Sequence, residues 1–307
     1  MINLKRILKS DRVSKALTGL RIEEFKELVP VFEVCLKAQR YEIKPIRKRK
    51  LGGGQKGAIG SIEEKLAYIL IYLKVYPTFD VMGVLTDRPR SKCCESVQLL
   101  LPALEKALGR KQVLPEKKIH TVQEFYKRFG AIKDVFVDGS ERRVEKPKKN
   151  KKRNRLYSGK KKATTRKIVV ITDEKKRILI LLPTKSGRRH DKRIADKNHV
   201  FTGIPPDVTI WTDTGFQGAQ KSHPKVVMPE KASKNHPLTT AQKESNRLIS
   251  GIRSLTEHAI GGLKRLKSTS DVYRNKLPNL DDRFNRVAAG LWNLPIQHAQ
   301  RPHTASL

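Results

Sequence analysis

The stretch Val135-Phe136-Val137-Asp138-Gly139-Ser140-Glu141 decides the expected fold. Its apolar run is typical of a buried strand, and the Asp-Gly step predicts a strand that ends with an acid at the edge of a sheet. The same pattern recurs in Val208-Thr209-Ile210-Trp211-Thr212-Asp213-Thr214-Gly215. If the two strands are neighbours in the sheet, Asp138 and Asp213 lie side by side.

A third acid, Glu257, lies in a long helical pattern that begins near Thr240. At helical spacing Arg253 and Lys264 share its face, and both are candidate contacts to nucleic-acid phosphates. The pair Gly261-Gly262 costs helix stability, and its missing side chains leave room for a substrate or a sheet beside the acid.

Acids that converge from separate elements are what a divalent-metal site requires. Two Mg²⁺ ions about 4 Å apart activate an attacking oxygen and neutralise a leaving oxygen, and Mg²⁺ prefers carboxylate ligands. Taken singly, an Asp before Gly is usually turn chemistry, and a helix Glu among basic residues is usually a solvated pair. In combination, the three acids predict a metal-dependent enzyme that acts on nucleic-acid phosphates.

The charge of the chain indicates a polyanionic partner. Its 66 Lys and Arg outnumber 30 Asp and Glu, which gives a net charge of +36, and such repulsion opposes compaction unless DNA or RNA binds. An anionic membrane surface is the weaker alternative. Twelve Lys or Arg lie from Lys146 to Lys167, and the sequence from Lys146 to Thr172 contains no acid. We expect a loop there that binds phosphates, with Lys160, Lys161 and Lys162 at its centre.

Other features exclude some classes of protein. Cys35, Cys93 and Cys94 fit neither a disulfide framework nor a zinc site, so three reduced thiols are expected. There is no apolar run of eighteen residues and no signal-peptide pattern. The sequence therefore predicts a soluble cytoplasmic protein without a membrane partner.

The amino-terminal third is predicted to be helical. A helical pattern runs to about Gln39, and Arg47–Gly57 is a basic, glycine-rich segment that serves either as a linker or as an arm on DNA. A capping box at Ser61 opens a helix that Pro77 ends. A short helix over Phe79–Leu85, a turn and a helix over Ser91–Leu108 follow. Arg88, Arg90 and Lys92 precede or begin this last helix.

This arrangement fits a helix-turn-helix whose last helix enters a major groove, with those three basic residues on the DNA. The alternative is a three-helix domain that only packs. From Lys133 the pattern changes to strands, at Val135–Asp138, Ile168–Thr172, Arg177–Leu182, Val208–Asp213 and Val226–Met228. With a short helix at His190–Lys197 and the long helix after Thr240, this is a mixed α/β sheet of five strands with an antiparallel meander.

The predicted division has five parts: a helical segment and basic linker (1–57), a helix-turn-helix domain (58–110), a connector (111–132), a catalytic domain (133–295) and a tail (296–307). Several motifs across these parts resemble one family. They are Tyr72-Leu73-Lys74-Val75-Tyr76-Pro77-Thr78, Asp138-Gly139-Ser140-Glu141-Arg142, Tyr157-Ser158-Gly159-Lys160, Gly187 with His190-Asp191, Trp211-Thr212-Asp213-Thr214-Gly215-Phe216-Gln217-Gly218 and Glu257-His258-Ala259-Ile260-Gly261-Gly262-Leu263-Lys264-Arg265. The set resembles DDE transposases of the insertion-sequence-five type, which are related to Harbinger-like transposases.

The resemblance implies a ribonuclease-H-like catalytic domain in which Asp138, Asp213 and Glu257 bind two Mg²⁺ or Mn²⁺ ions. It implies cleavage at transposon ends and strand transfer, double-stranded terminal repeats and target DNA as partners, a homodimer or larger assembly on DNA, and a bacterial, nucleoid-associated protein. Thr256 stands where the family tends to have Val, and Arg143, Thr214 and Pro89 also depart from the pattern. Two alternatives stay open: a decayed or repurposed DNA-binding copy, and a ribonuclease-H-fold nuclease that does not transpose.

Overall fold

The computed structural model describes residues 2–43, 45–46, 59–130, 132–233 and 237–299. The basic segment Arg47–Gly57 lies outside them. Contacts divide the chain into two units, one made of the residues up to Leu114, Lys264–Asp271 and the residues from Arg283, and the other of Pro115–Leu263 and Val272–Asp282. The predicted catalytic domain 133–295 does not coincide with either unit, and the division into functional domains stays a prediction.

The elements are as follows. In chain order the helices are α1 (Leu4–Ile7), α2 (Asp11–Thr18), α3 (Ile22–Ile43), α4 (Ile62–Val75), α5 (Phe79–Thr86), α6 (Arg90–Arg110), α7 (Val122–Phe129), α8 (Asn150–Leu156), α9 (Asp191–Lys197), α10 (Val200–Gly203), α11 (Thr240–Lys264), α12 (Lys267–Ser270) and α13 (Leu280–Ala299). The strands are β1 (Asp134–Arg143), β2 (Tyr157–Ser158), β3 (Ala163–Asp173), β4 (Ile178–Leu181), β5 (Lys185–Ser186), β6 (Thr209–Thr212) and β7 (Val226–Val227). Short 3₁₀ turns cover Thr214–Phe216 and Ala219–Lys221.

The amino-terminal unit contains the helices predicted for the helix-turn-helix. The Ser61 hydroxyl accepts from the Glu64 amide at 3.1 Å and the Glu64 carboxylate accepts from the Ser61 amide at 3.1 Å, so the predicted capping box is confirmed. The turn between α5 and α6 is tight, because a Cβ on Gly83 would lie 2.6 Å from the Arg88 carbonyl oxygen. The three helices are therefore present, whereas their role on DNA stays a prediction.

The second unit is built on a mixed sheet of seven strands. The strand order in the sheet is β2-β3-β1-β6-β7. Strands β4 and β5 also pair with β3. The pairs β1–β3 and β3–β4 are antiparallel, and the pairs β1–β6 and β6–β7 are parallel. All five predicted strands are confirmed, and the two-residue strands β2 and β5 are additional. The sheet and its helices match the expected ribonuclease-H-like α/β class.

One sheet face carries the core of this unit. Alternate residues of β1 and β3, among them Val135, Val137 and Ile171, pack with Phe125 of α7 and Phe201 of α10. The opposite face receives α11, whose buried Thr256 hydroxyl lies 3.3 Å from the Thr172 hydroxyl of β3 in a hydrogen bond. The sheet is therefore covered by helices on both faces.

Several local predictions were wrong. The first strand does not end at Asp138 but continues to Arg143, because β3 pairs with it as far as Arg143↔Thr165. The basic loop contains α8, in which no residue is buried. The connector contains α7, held by the buried Phe125. Leu248 follows the helical spacing of the apolar residues in the long helix, which predicts burial, but it is 70% exposed.

Candidate active site

Asp138 and Asp213 are brought together by the parallel pairing of β1 with β6. The register Phe136↔Trp211 and Val137↔Thr212 ends one residue before each acid. Phe136 and Trp211 stack with ring centres 6.4 Å apart, which fixes the same register through side chains. The prediction that neighbouring strands place these two acids side by side is confirmed, although only β6 ends there.

Glu257 reaches this edge on α11. The hydrogen bond between Thr256 and Thr172 anchors the helix one residue before the acid, and Thr172 pairs with Phe136 of β1. Thr256 stands where the resembled family tends to have Val. In this chain the threonine has a structural role, because its hydroxyl forms a hydrogen bond with the buried Thr172. A Cβ on Gly261 would meet nothing within 4 Å, so the space next to Glu257 is open.

The electrostatics of Asp138 reflect its burial and the charges around it. Burial raises the pKa of Asp138 to about 6, and the negative charges of Asp213 and Glu257 contribute to the rise. The backbone amide of Gly139, which donates to the Asp138 carboxylate at 2.7 Å, and the positive charge of Arg253 oppose it. The charges of Asp213, Glu257 and Arg253 therefore all act on Asp138, and the two acids repel its charged form.

This donor set fits a divalent cation. Mg²⁺ and Mn²⁺ take carboxylate oxygens, and a cation relieves both the burial cost and the repulsion that raise the pKa of Asp138. A separate group, Glu23, Glu27 and His298, has ligand atoms within 4.8 Å of one another, a spacing that the carboxylate oxygens of Asp138, Asp213 and Glu257 do not share. Its charges are accounted for by ion pairs, because Glu27 pairs with His298 at 2.8 Å and with Lys111 at 3.3 Å.

A second charged network lies on the face of β1 opposite Asp138. The sequence did not predict that its members form one network. The Lys167 ammonium lies 3.3 Å from Glu141 and 3.2 Å from Asp191, and Thr165 donates to Glu141 at 2.7 Å. A Cβ on Gly139 would lie 2.9 Å from the Asp191 carboxyl carbon, so only glycine lets α9 approach the strand. The sequence signal was available, since Gly139 and Asp191 both belong to the resembled motifs.

The predicted DNA contacts fall in different places. Lys160, Lys161 and Lys162 are exposed in the turn between β2 and β3. In the other unit Arg90 lies 3.9 Å from Asp80, Lys92 pairs with Glu95 at 2.8 Å, and Arg88 donates to the Ser96 hydroxyl at 3.0 Å. Lys264 ends α11 and is counted with that same unit. Their contacts with DNA stay predictions.

Comparison with known proteins identifies the family. The sequence model of the family described as "DDE superfamily endonuclease" matches residues 137–293, just over half of the chain. The chain belongs to this family. The matched range includes Asp138, Asp213 and Glu257, and DDE endonucleases use divalent metal ions, in agreement with the donor set described above.

A relative of this DDE endonuclease has also been described. It is called "Probable transposase for insertion sequence element IS702", from Microchaete diplosiphon, and is 29% identical over 286 residues, which are 93% of this chain and 95% of the relative. No solved structure matches the chain significantly. The narrower relationship to insertion-sequence-five and Harbinger-like transposases stays a prediction. Among the described residues, no helix is long and apolar enough to cross a membrane.

Proposed function

We propose that this DDE endonuclease is the DNA transposase of an insertion sequence. It binds the ends of its element, cleaves phosphodiester bonds there and transfers the freed 3′ end to target DNA. The observation that carries the proposal is the placement of Asp138 and Asp213 on aligned strand positions, with Glu257 near enough for its charge to act on Asp138. The similarity over nearly the whole length to a protein described as a probable insertion-sequence transposase supports it.

In this proposal the three acids hold two Mg²⁺ ions, for which Mn²⁺ can substitute. When bound, such ions activate the attacking oxygen and neutralise the leaving oxygen. Asp138 and Asp213 supply rigid ligands, because their positions follow from the register of the sheet. Glu257 supplies a ligand from a helix, and Arg253 offers a positive charge to the phosphate beside Asp138.

The remaining proposed contacts bind double-stranded DNA. Lys160, Lys161, Lys162 and Lys264 neutralise phosphates, a role that requires no sequence reading. The helix-turn-helix formed by α4 to α6 reads the terminal repeats, with Arg88, Arg90 and Lys92 at the start of its last helix. We propose that the active assembly is a dimer or larger on DNA and works in the bacterial cytoplasm, at the nucleoid.

The test is cleavage of DNA that carries the two ends of the element, with purified protein and Mg²⁺. We expect the wild type to cut at the ends and Asp138→Ala to bind the same DNA without cutting it. Chelation of the metal should abolish cleavage by the wild type and spare binding. Binding of the ends by the wild type without metal-dependent cleavage would instead identify a decayed or repurposed copy.

A further inference from the structure

A cavity of about 640 Å³ opens beside Asp213. Three turns form its walls: the turn after α8, the turn that precedes α9, and the turn after β6 that begins with Asp213. We propose that this cavity binds one unstacked nucleotide of a DNA strand, next to the phosphodiester at the carboxylates. The proposal rests on the proposed function, because it is that reaction that brings a DNA strand to Asp213.

The charge of the cavity selects an anion. Lys160, Arg188 and Arg189 line it, and none of the three has an ion-pair partner in the part of the chain that the structure describes. Lys167 also lines it but is balanced by Glu141 and Asp191. Unbalanced ammonium and guanidinium groups are the usual partners of phosphate oxygens, and Arg binds them through two parallel hydrogen bonds.

The turn that carries the two arginines is fixed to the sheet. The Gly187 amide donates to the Thr165 carbonyl at 2.9 Å, and the Arg189 amide donates to the Ser186 carbonyl at 3.0 Å. A Cβ on Gly187 would fall 1.8 Å from the Thr165 hydroxyl, so this contact requires glycine. The facing turn is held by buried Ser158, whose hydroxyl accepts from the Lys161 amide at 3.3 Å. Both cationic walls are therefore positioned before any ligand arrives.

The size of the cavity and its aromatic residue indicate a single nucleotide. Its volume lies within the range of about 300–1,000 Å³ that is usual for small-molecule sites, which is too small for a duplex. Tyr157 lines the cavity and is 46% exposed, although most aromatic residues of this unit are buried. Bases of single-stranded DNA stack on exposed aromatic rings, whatever their sequence. A base on Tyr157 and its phosphate on the cations would fill the site.

The first test is photocrosslinking of the full-length protein in EDTA to a short single-stranded oligonucleotide that contains 5-iododeoxyuridine. We expect the crosslink at Tyr157. Tyr126, which belongs to the same unit and is 41% exposed, is the internal control. Crosslinks divided between the two tyrosines in proportion to their exposure would overturn the proposal, as would crosslinking at Tyr126 alone.

The second test compares two variants with the same loss of charge. One is Lys160→Ala with Arg188→Ala and Arg189→Ala, and the other is Lys149→Ala with Lys151→Ala and Lys152→Ala, which are exposed and do not line the cavity. Both should lower affinity for a duplex, because each removes three positive charges. The first should lower affinity for the single strand by about tenfold more than the second. Equal losses, or competition by thymidine monophosphate as effective as by the oligonucleotide, would contradict a strand-binding site.

Tyr157→Ala should weaken single-strand binding by about fivefold or more, and Tyr157→Phe should restore it, because stacking needs the ring and not the hydroxyl. Circular dichroism of each variant checks that it is folded. None of these measurements depends on cleavage. A wild type that crosslinks at Tyr157 but never cuts DNA would remove the proposed function alone, whereas normal cleavage without that crosslink would remove the cavity proposal alone.

Discussion

Two acids of the second unit, the half-buried Asp138 and the buried Asp281, have opposite surroundings. The Asp281 carboxylate forms ion pairs with the guanidinium groups of Arg142 at 3.0 Å and Arg166 at 3.4 Å, so its charge is paired twice. Asp138 has the Gly139 amide and the charge of Arg253 in its favour, but Asp213 and Glu257 repel it. The pKa of both acids is raised by burial, and only at Asp281 do two adjacent guanidinium groups oppose the rise. The difference separates an acid whose charge is paired within the fold from the acid that we propose as a metal ligand.

The largest expected effect is on catalysis. Glu257→Gln keeps the size and the helix propensity of the side chain and removes the charge that a metal ion requires. We expect cleavage of end DNA to fall by about a thousandfold or more, because the ions supply several kcal/mol of transition-state stabilisation. Binding of the same DNA should persist, which a filter-binding assay measures alongside cleavage.

Glu244→Gln is the matched control for this variant, since Glu244 is exposed on the same helix. Its cleavage should equal that of the wild type. If Glu257→Gln also cuts at the wild-type rate in Mg²⁺, then Glu257 is only a solvated acid on α11 and does not belong with Asp138.

A substitution of Asp281, the acid paired with two arginines, should instead lower the stability of the fold. Asp281→Asn leaves the buried guanidinium of Arg142 without its closest carboxylate, and breaking a buried pair in this way costs about 3–5 kcal/mol. Urea denaturation should show this loss, whereas cleavage per folded molecule should be unchanged. Asp196→Asn, which breaks the exposed pair with Lys192, is the control and should cost at most about 1 kcal/mol. A loss of only about 1 kcal/mol for Asp281→Asn would remove the contrast between the two acids.

The smallest expected effect is a gain of stability at Asp138. The folded pKa of about 6 lies above the ordinary value of 3.8, so folding favours the protonated acid. Its contribution is complete below pH 4 and is lost as the pH rises to about 6. In metal-free protein at pH 8, Asp138→Asn should therefore raise the free energy of unfolding, by on the order of 2 kcal/mol.

The same variant should show no gain at pH 4, where the wild-type carboxyl is itself protonated. Added Mn²⁺ should stabilise the wild type at pH 8 and leave Asp138→Asn unchanged, because the variant lacks one ligand. Thermal melts of the wild type and of Asp138→Asn, at pH 4 and at pH 8 and with and without Mn²⁺ at pH 8, measure these differences. A destabilised variant at pH 8 would mean that the acid is satisfied by groups other than a metal ion.

Much of the fold could be predicted because its determinants are local. Alternating or continuous apolar runs predicted β1, β3, β4, β6 and the two-residue β7, and the capping box predicted the start of α4. The placement of Asp138 beside Asp213 followed from two similar strand patterns. The predicted strand end at Asp138 was wrong because Asp-Gly is ordinarily a turn signal, whereas here Gly139 serves the close approach of Asp191 from another element.

What could not be predicted depends on contacts between residues far apart in the chain. Nothing near Lys167 shows that it neutralises both Glu141 and Asp191. A different reason applies to α8. It has no buried face, so hydrophobic periodicity could not predict it. The segment with α7 is short. The Thr121 hydroxyl accepts from the Glu124 amide and gives the helix a local start, whereas the entry of Phe125 into the core of the second unit depends on distant residues.

The parallel pairing of β1 with β6 also bears on when the protein becomes able to cut DNA during its synthesis. Asp134 pairs with Thr209, so the two aspartates meet only after that much of the chain has left the ribosome, and Glu257 follows later still. Pairing across such separations closes a long loop and is intrinsically slow. The amino-terminal unit waits as well, because Lys264–Asp271 and the residues from Arg283 belong to it, so neither unit is complete until nearly the whole chain has been made.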